Sequence, residues 1–409
     1  MKQKTRLRIT LLFTCWTLSL FGSVLATFIM QAVAFFHVSP ASAGTLESYQ
    51  NLTLVVITFI AFSYILKVGY RKALMTVIAL MVFLSFITPF IDTYWMIKVY
   101  LVGVGITLVG MKVGIYATVS LVTENESQHA SFLSLAEATW MLSSMVGMWI
   151  IAFFIKIAPD HWMYALWVYT VFGIINFLIW MFTPMDESAI EKEKQQPFKE
   201  QIKDIINICK SKIVLFAIII FFVDQFVENG FLAWMAGFYQ MAIHLSQSLS
   251  VELASITVFA YFIGRVAVVF LLKYMRWDKV LFIYYLIAIT ILIYVLYTIH
   301  APNHPINTLW DIPIQALILP LIGFFMAPNT PILNSAVLNR TVKEKQALLM
   351  TVMTITYAIS SSISARLIGD LMGHFGGILG FKLTTVIPMI FLIIFILPFA
   401  NFLRKRTIE

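Results

Sequence analysis

The chain has 409 residues, of which 60% are hydrophobic and 12% are charged, whereas soluble domains average roughly 45–50% and about 25%. So many apolar side chains cannot be buried in one soluble core, and the formal net charge of +8 does not change this. The composition excludes an ordinary soluble enzyme, a disordered chain and a nucleic-acid-binding domain, and it predicts a polytopic membrane protein.

A membrane-spanning helix needs about 20 mostly apolar residues. In chain order the sequence contains twelve such runs, 9–36, 48–66, 73–91, 95–122, 131–155, 162–183, 212–239, 251–272, 279–299, 312–338, 347–372 and 381–403. Most of them are continuously apolar rather than alternating, which predicts helices and not the strands of a membrane barrel.

The positions of the cations predict the orientation in the membrane. With the N-terminus inside, the cytosolic segments hold 22 Lys and Arg and the outer segments hold 3, namely Lys98, Lys156 and Lys382. Because cytosolic loops carry the excess of cations, both termini are predicted to be cytosolic. The basic start leads into an apolar run too long for a cleavable signal peptide, so we predict a first span there.

A long polar stretch between the sixth and seventh runs divides the chain. It predicts an N-terminal six-helix bundle (1–184), a cytosolic linker (185–211) and a C-terminal six-helix bundle (212–409). Within the linker, Phe198–Cys209 has apolar residues at helical spacing, which predicts an amphipathic helix on the inner membrane surface.

The two halves are similar to each other. Ala130–Ile155 matches Ala347–Met372 without a gap, and this pairs Ser143 with Ser360. The ends of the second and eighth runs match at a comparable offset, just over 200 residues. A duplicated six-helix unit requires such an offset, so the predicted fold is an all-α membrane protein with twelve transmembrane helices in two pseudo-symmetric six-helix bundles.

Twelve spans, the duplication and the central loop resemble the major facilitator superfamily over the whole chain. The superfamily's loop motif, G-x-x-x-D-R-x-G-R-R, is matched at its basic end by Lys67–Lys72, whereas Leu66 stands in place of the Asp. Other segments resemble the fucose/proton symporter branch. They are the glycines of the fourth span (Gly103, Gly105, Gly110, Gly114), the run Phe221–Glu228 followed by Trp234, and Gly264-Arg265.

The branch resemblance implies a sugar as solute and coupling to protons. Characterised members use acidic residues in spans 1 and 4, whereas here span 1 has none and span 4 carries Lys112. The coupling residues of the branch therefore do not transfer to this chain, and candidates have to come from its own charges.

An ionisable group at mid-bilayer costs at least about 2.5–3.5 kcal/mol on insertion scales, so each one needs an explanation. The resemblance implies that spans 1, 4, 7 and 10 line a central cavity. Counted from the inner span ends, Lys112 and Asp224 both lie roughly 15–18 Å deep, and Glu228 shares a helix face with Asp224. We predict that Lys112 faces one or both carboxylates as a substrate- and proton-coupling device; the alternative is a permanent ion pair.

Glu137 and Arg265 form a second candidate pair. The resemblance implies that spans 5 and 8 meet at the boundary between the halves. Both residues lie about 9–11 Å from the inner edge. Opposite charge at matched depth predicts an inner gate, with a static interface pair as the alternative.

Span 10 is interrupted by Pro328 and Pro331. Such breaks free carbonyl groups where a transporter bends or binds, although a plain packing kink would look the same. Asn329 aligns with Lys112 in the repeat and is a candidate cavity residue. Trp234 is a candidate for stacking on a sugar ring, with an interfacial anchor as the alternative.

No nucleophile–base arrangement, phosphate loop or metal-ligand spacing is present, so we expect neither an enzyme nor a cofactor or metal. The prediction is a monomeric secondary active transporter without nucleic-acid partners, which takes up a small polar solute by alternating access, driven by a proton gradient. Its enrichment in Ile, Phe and Lys favours a bacterial inner membrane. Efflux of a drug, metabolite or siderophore is the first alternative, and a solute sensor that does not transport is the second.

Overall fold

The computed structural model describes residues 2–115, 118–123, 126–187, 198–300 and 304–404. These residues are mostly helical and contain no β-strand. Ten helices of the described part are long and apolar enough to cross a membrane, and Tyr94–Val109 is a shorter apolar helix. The predicted all-α membrane fold is confirmed.

Every predicted run overlaps at least one helix. The α-helices are α1 (Lys2–Gly22), α2 (Leu25–Ala34), α3 (Pro40–Gly44), α4 (Leu46–Val68), α5 (Tyr70–Ile91), α6 (Tyr94–Val109), α7 (Glu126–Ile157), α8 (Ala165–Phe182), α9 (Phe198–Cys209), α10 (Lys212–Ile243), α11 (Gln247–Leu271), α12 (Trp277–Thr298), α13 (Ile314–Ile318), α14 (Leu321–Met326), α15 (Asn329–Leu338), α16 (Lys343–Phe375) and α17 (Gly377–Arg404).

Three predicted runs are interrupted. The first divides into α1 and α2, and the fourth passes from α6 into a π-helical segment, Gly110–Ile115. The tenth consists of α13, α14 and α15, which are separated at Pro320 and Pro328. Proline has no N–H to donate to the preceding turn, and in the tenth run its ring and missing donor coincide with the two breaks, whereas α5 and α17 continue through Pro89, Pro388 and Pro398.

The chain separates into two compact units, residues 1–28 with 49–195 and residues 29–48 with 196–409. In the first unit α1 packs against α7, and α5 packs against α8. In the second unit α10 packs against α16 and α17, and the short α3 lies on α16.

The contact between α3 and α16 requires glycine on both sides. A Cβ added to Gly44 would overlap the Ala365 carbonyl, and one added to Gly369 would overlap the Pro40 carbonyl. Two backbones approach this closely only where side chains are missing. Residues 29–48 are therefore packed with the second unit, although the sequence-based domain boundary assigns them to the first bundle.

Equivalent contacts recur in the two units. Ser143 Oγ of α7 donates to Trp16 O of α1 at 2.6 Å, and its repeat mate Ser360 of α16 donates to Phe222 O of α10 at 2.5 Å. In each repeat a serine of the fifth span thus bonds to the backbone of the first span, as the ungapped match of Ala130–Ile155 with Ala347–Met372 predicts.

A glycine contact shows the same symmetry. A Cβ on Gly105 of the fourth span would overlap Gln50 O of the second span, and one on Gly323 of the tenth span would lie 2.8 Å from Thr257 O of the eighth span. The second and fourth helices of each repeat therefore approach each other at a glycine.

The linker helix α9 is present where the sequence predicts it. Ile202 and Ile206 of its apolar face are exposed, whereas the neighbouring Ile208 is buried against the protein. Its location at a membrane surface stays a prediction.

Candidate functional site

Two carboxylates lie side by side in the second unit. Asp224 and Glu228 are one turn apart on α10 and are 0% and 5% exposed. The surrounding α10 sequence is apolar, with Phe221, Phe226 and Val227 also buried. Removing carboxylates from water is costly unless polar partners or protons compensate them, so their partners define what the site can do.

Asp224 has a partner on each oxygen. The Tyr285 hydroxyl of α12 donates to Asp224 Oδ1 at 2.7 Å, and Gln225 Nε2 donates to Asp224 Oδ2 at 3.0 Å. The same Gln225 nitrogen lies 3.3 Å from Glu228 Oε2. One amide group therefore links the two carboxylates.

Thr330 of α15 is the second link. Its hydroxyl donates to Glu228 Oε2 at 2.6 Å, lies 3.4 Å from Asp224 Oδ2 and accepts from Gln225 Nε2 at 2.5 Å. A hydroxyl has one proton to donate, so the shorter bond to Glu228 takes it. Together with Tyr285, these residues make a network of five side chains around the two carboxylates.

The two prolines explain how span 10 reaches this network. In an α-helix the N–H of residue i bonds to the carbonyl of residue i−4, so Pro328 and Pro331 leave the carbonyls of Phe324 and Ala327 without that partner. Arg265 Nε of α11 donates to Ala327 O at 3.2 Å. The neighbouring Gly264 lies so close to Phe324 O that a Cβ would overlap it.

The pair Gly264-Arg265 therefore completes the break in span 10. Glycine admits one freed carbonyl, and the guanidinium binds the other. Arg265 also acts electrostatically on Glu228, so the break brings a cation near the carboxylates.

The candidate residues from the sequence are distributed over both units. Asp224, Glu228 and Arg265 are grouped in the second unit, where Asn329 is fully buried at the first position of α15. Lys112 belongs to the π-helical segment of the first unit, and its side chain lies outside the part that the structure describes. The predicted pairing of Lys112 with the carboxylates stays a prediction.

Glu137 lies half-buried on α7 in the first unit. Its predicted gating partner Arg265 lies in the second unit, so the gate also stays a prediction.

Trp234 is fully buried on α10, ten residues after Asp224. Its indole N–H donates to Ala365 O at 2.6 Å, and the ring packs where Gly237 and Gly369 leave room. The structure thus gives Trp234 a packing role between α10 and α16, and its predicted stacking on a sugar ring stays a prediction.

Sequence reasoning missed Gln225, Tyr285 and Thr330. Gln225 stands between the two acids, and Thr330 stands between the two prolines, so their positions carried a signal. Tyr285 had a weaker one, since a tyrosine within a span needs a partner for its hydroxyl but the sequence does not name it.

The interior of the first unit contains neutral polar groups instead. Trp180 Nε1 donates to Thr14 Oγ1 at 2.9 Å, and the Thr14 hydroxyl contacts Asn176 Oδ1 at 3.2 Å. Tyr169 donates to Gly147 O at 2.6 Å and lies 3.3 Å from Ser23 Oγ. These hydroxyl and amide groups join helices without any charge.

A carboxylate organises the loop between α4 and α5 of the first unit. Glu187 Oε2 and Oε1 accept the N–H groups of Tyr70 and Arg71 at 2.8 and 2.9 Å. A negative group is favourable at a helix N-terminus, where backbone N–H groups are unpaired. The superfamily motif would place an Asp in this loop at position 66, where this chain has Leu66. Here Glu187 binds the loop, a contact that was not predicted from the sequence.

The chain is similar to proteins of known sequence. A family model described as Major Facilitator Superfamily matches residues 8–365. The TsgA homolog of Buchnera aphidicola subsp. Baizongia pistaciae is 25% identical over 281 residues, which are 68% of this chain. The match spans 63% of that relative's length.

Solved structures share the fold at low identity. The E. coli fucose:proton symporter FucP is 16% identical with a TM-score of 0.62, over 98% of each chain. The nucleoside transporter NupG is 14% identical with a TM-score of 0.73, over 97% of this chain and 99% of NupG. A POT family transporter in complex with 5-aminolevulinic acid is 14% identical with a TM-score of 0.76, over 97% and 96%.

Proposed function

Because the chain belongs to the Major Facilitator Superfamily, we propose that it is a secondary active transporter that takes up a small polar solute by alternating access, driven by protons. The solute is a sugar or a similar metabolite. Two solved relatives are named for fucose and for nucleosides, and a third was solved in complex with 5-aminolevulinic acid; all three compounds are small and polar, and this supports the solute class.

The observation that carries the proposal is the buried pair of Asp224 and Glu228, which Gln225 and Thr330 connect in one hydrogen-bond network. Two negative charges side by side and away from water repel each other, and binding one proton removes that repulsion. A site that gains a proton from one side of the membrane and loses it to the other can couple transport to a proton gradient.

Cations complete the proposed cycle. Arg265 already acts on Glu228, and we propose that Lys112 pairs with a carboxylate in another conformation of the cycle. Glu137 would pair with Arg265 when the inner side closes, while Asn329 and Trp234 would contact the solute. A carboxylate that exchanges a proton for a cationic partner changes the stability of each conformation, and that is what alternating access requires.

We further propose that the protein is a monomer in a bacterial inner membrane, with both termini in the cytosol. The distribution of 22 inner and 3 outer Lys and Arg supports this orientation. Reporter fusions at the C-terminus that are active only on one side of the membrane test it.

The transport proposal is tested with purified protein in liposomes under an inward proton gradient, with a panel of sugars, nucleosides and small metabolites. We expect accumulation of at least one solute, abolished by a protonophore. Asp224→Asn and Glu228→Gln are expected to lose gradient-driven accumulation while keeping exchange of labelled for unlabelled solute. Asp370→Asn removes a half-exposed acid of the same unit that contacts His374, and it serves as the matched control.

Three results would contradict the proposal in different ways. Full accumulation by both acid variants would remove the coupling role of the pair. Gradient-driven movement only in the outward direction would favour efflux. Solute binding without any flux would favour a sensor.

A further inference from the structure

A lateral cleft lies within the first unit. It has a volume of about 190 Å³ and lies between residues 57–65 of α4, residues 73–80 of α5 and residues 106–114 at the end of span 4. All the lining atoms exposed to it are apolar. Its size is below the roughly 300–1,000 Å³ of pockets that enclose drug-sized molecules, so it fits part of a slender chain rather than a compact solute.

Span 4 contributes both side chains and glycines to the wall of this cleft. Ile106 and Val109 line it together with Gly110 and Gly114 of the π-helical segment. On the opposite wall Ile60 and Tyr64 of α4 are 55% and 41% exposed. Exposed apolar groups on a membrane helix face lipid, so the cleft is accessible to acyl chains.

The long axis of the cleft matches one leaflet. From Ile57 to Ile65 the lining of α4 advances eight residues, or about 12 Å along a helix. Half of a hydrocarbon core of about 30 Å is roughly 15 Å. The length of the lining on α4 therefore suits a single acyl chain from one leaflet.

Two cations stand at one end. Lys67 follows the last lining residue of α4, Ile65, by two positions, and Lys72 directly precedes the first lining residue of α5, Ala73. Both lysines are exposed. The third cation of this loop, Arg71, is half-buried and donates to Trp180 O at 2.7 Å and Met181 O at 3.1 Å.

We propose that this cleft is a binding site for one anionic phospholipid, with an acyl chain between α4, α5 and span 4 and the headgroup on Lys67 and Lys72. The charge complementarity selects an anionic headgroup over a zwitterionic one. The apolar lining does not suit the polar solute of the proposed transport function, so the two sites are distinct.

The proposal is tested by photolabelling of the full chain in nanodiscs of phosphatidylcholine. The probes are phosphatidylglycerol and phosphatidylcholine that carry a diazirine midway along one acyl chain, and labelled peptides are mapped by mass spectrometry. We expect adducts on 57–65 and 73–80, with phosphatidylglycerol exceeding phosphatidylcholine by roughly 10- to 30-fold, because each lysine contributes a factor of about five near an anionic headgroup.

Two kinds of variant test the headgroup contact and the acyl-chain contact separately. Lys67→Gln with Lys72→Gln is expected to reduce phosphatidylglycerol labelling to the phosphatidylcholine level, and the double Arg variant to keep it. Ala61→Phe fills the cleft and is expected to reduce labelling by both lipids. The repeat offers matched controls, Lys273→Gln with Lys279→Gln and Ala267→Phe, which are expected to leave labelling of 57–65 unchanged.

Equal labelling by the two lipids in the unmodified protein would overturn the proposal, as would unchanged labelling in the double Gln variant. Unchanged labelling in Ala61→Phe would place the chain outside the cleft. Size-exclusion profiles identify any variant that fails to fold, and the double Arg variant then decides whether charge is the cause.

Discussion

The interiors of the two units use different polar groups within equivalent frameworks. In the first unit, Thr14, Asn176 and Trp180 join helices through neutral hydrogen bonds. In the second, Asp224 and Glu228 stand at the centre of the network. Yet both units keep the serine that bonds the fifth span to the first, and both keep a glycine between the second and fourth spans.

The comparison separates what holds a bundle together from what gives it chemistry. The shared contacts involve backbone atoms and small residues, which depend little on the particular side chains around them. Among the residues that the structure describes, the network of the second unit contains carboxylates, and the network of the first unit contains neutral groups. A duplicated framework has thus kept its packing contacts, while the buried charge belongs to the second unit.

The strongest test of this difference is to place a charge in the neutral interior. Asn176→Asp has nearly the same shape but introduces a fully buried carboxylate beside the Thr14 hydroxyl. We expect a loss of about 3 kcal/mol or more of unfolding free energy, since an uncompensated buried charge costs about that much. Thermal unfolding in detergent measures it.

The matched variant is Asp224→Asn, which removes a charge from the second unit. Its destabilisation is expected to be clearly smaller, because a neutral amide accepts from Tyr285 as the carboxylate does. Equal losses in both variants would show that the two interiors do not differ in their tolerance of charge.

The glycine contacts test whether the frameworks are equivalent. Gly105→Ala and Gly323→Ala each place a methyl group against a neighbouring backbone carbonyl. Each is expected to cost about 1–3 kcal/mol, because backbone cannot move aside as a flexible side chain does. The melting temperature of each variant is the measurement.

Gly22→Ala is the control, since its added Cβ would meet its nearest neighbours at 3.7 and 3.8 Å, an ordinary contact distance. We expect little change in its melting temperature. A marked difference between Gly105→Ala and Gly323→Ala would count against an equivalent role in the two repeats.

Removing a hydroxyl from each network gives a smaller effect. Thr330→Val deletes the donor to Glu228 and the acceptor for Gln225 and is expected to cost about 1.5 kcal/mol, because a bond to a charged group is lost. Thr14→Val breaks neutral bonds and is expected to cost about 0.6 kcal/mol. Unfolding free energies of the two valine variants give the comparison.

Thr330→Ser retains the hydroxyl and is expected to stay close to the unmodified protein in stability and transport. If Thr330→Val and Thr14→Val lower the unfolding free energy equally, the network around the carboxylates does not contribute more to stability than the neutral one.

The smallest expected effects concern the serines of the fifth spans. Ser143→Ala and Ser360→Ala each lose one bond between helices, which in membrane proteins is worth about 0.6 kcal/mol on average. The two losses are expected to agree within about 0.5 kcal/mol, the usual error of such comparisons. Ser362→Ala, whose hydroxyl bonds within its own helix to Ala358 O, is the control and is expected to be neutral.

The sequence was sufficient to predict the helices because a membrane span is encoded by the length of an apolar run. It also drew attention to Asp224, Glu228 and Arg265, because charges are rare in such runs and therefore conspicuous; their roles in coupling and gating stay predictions. Tyr285 and Thr330 escaped prediction since tyrosine and threonine are common in spans, and their partners depend on how α12 and α15 pack. Glu187 was hidden in a polar segment, where its bond to the start of α5 depends on the tertiary fold.

Some of the helix breaks could be predicted from the sequence, and others could not. Pro328 predicted a break in span 10, because proline lacks the N–H that an α-helix needs. The separation of α1 from α2 near Ser23 and the π-helical segment after α6 contain no proline, and neither was predicted from the sequence.

The π-helical segment Gly110–Ile115 has a consequence for how span 4 is compared with related sequences. A π turn closes its hydrogen bond one residue later than an α turn, so it accommodates one additional residue within a continuous rod. Beyond Gly110, a helical-wheel projection drawn with α periodicity therefore assigns the residues of this segment to the wrong azimuth. Deleting a single residue within Gly110–Ile115 is therefore expected to restore α periodicity there and to turn the residues that follow within the segment by about 100°.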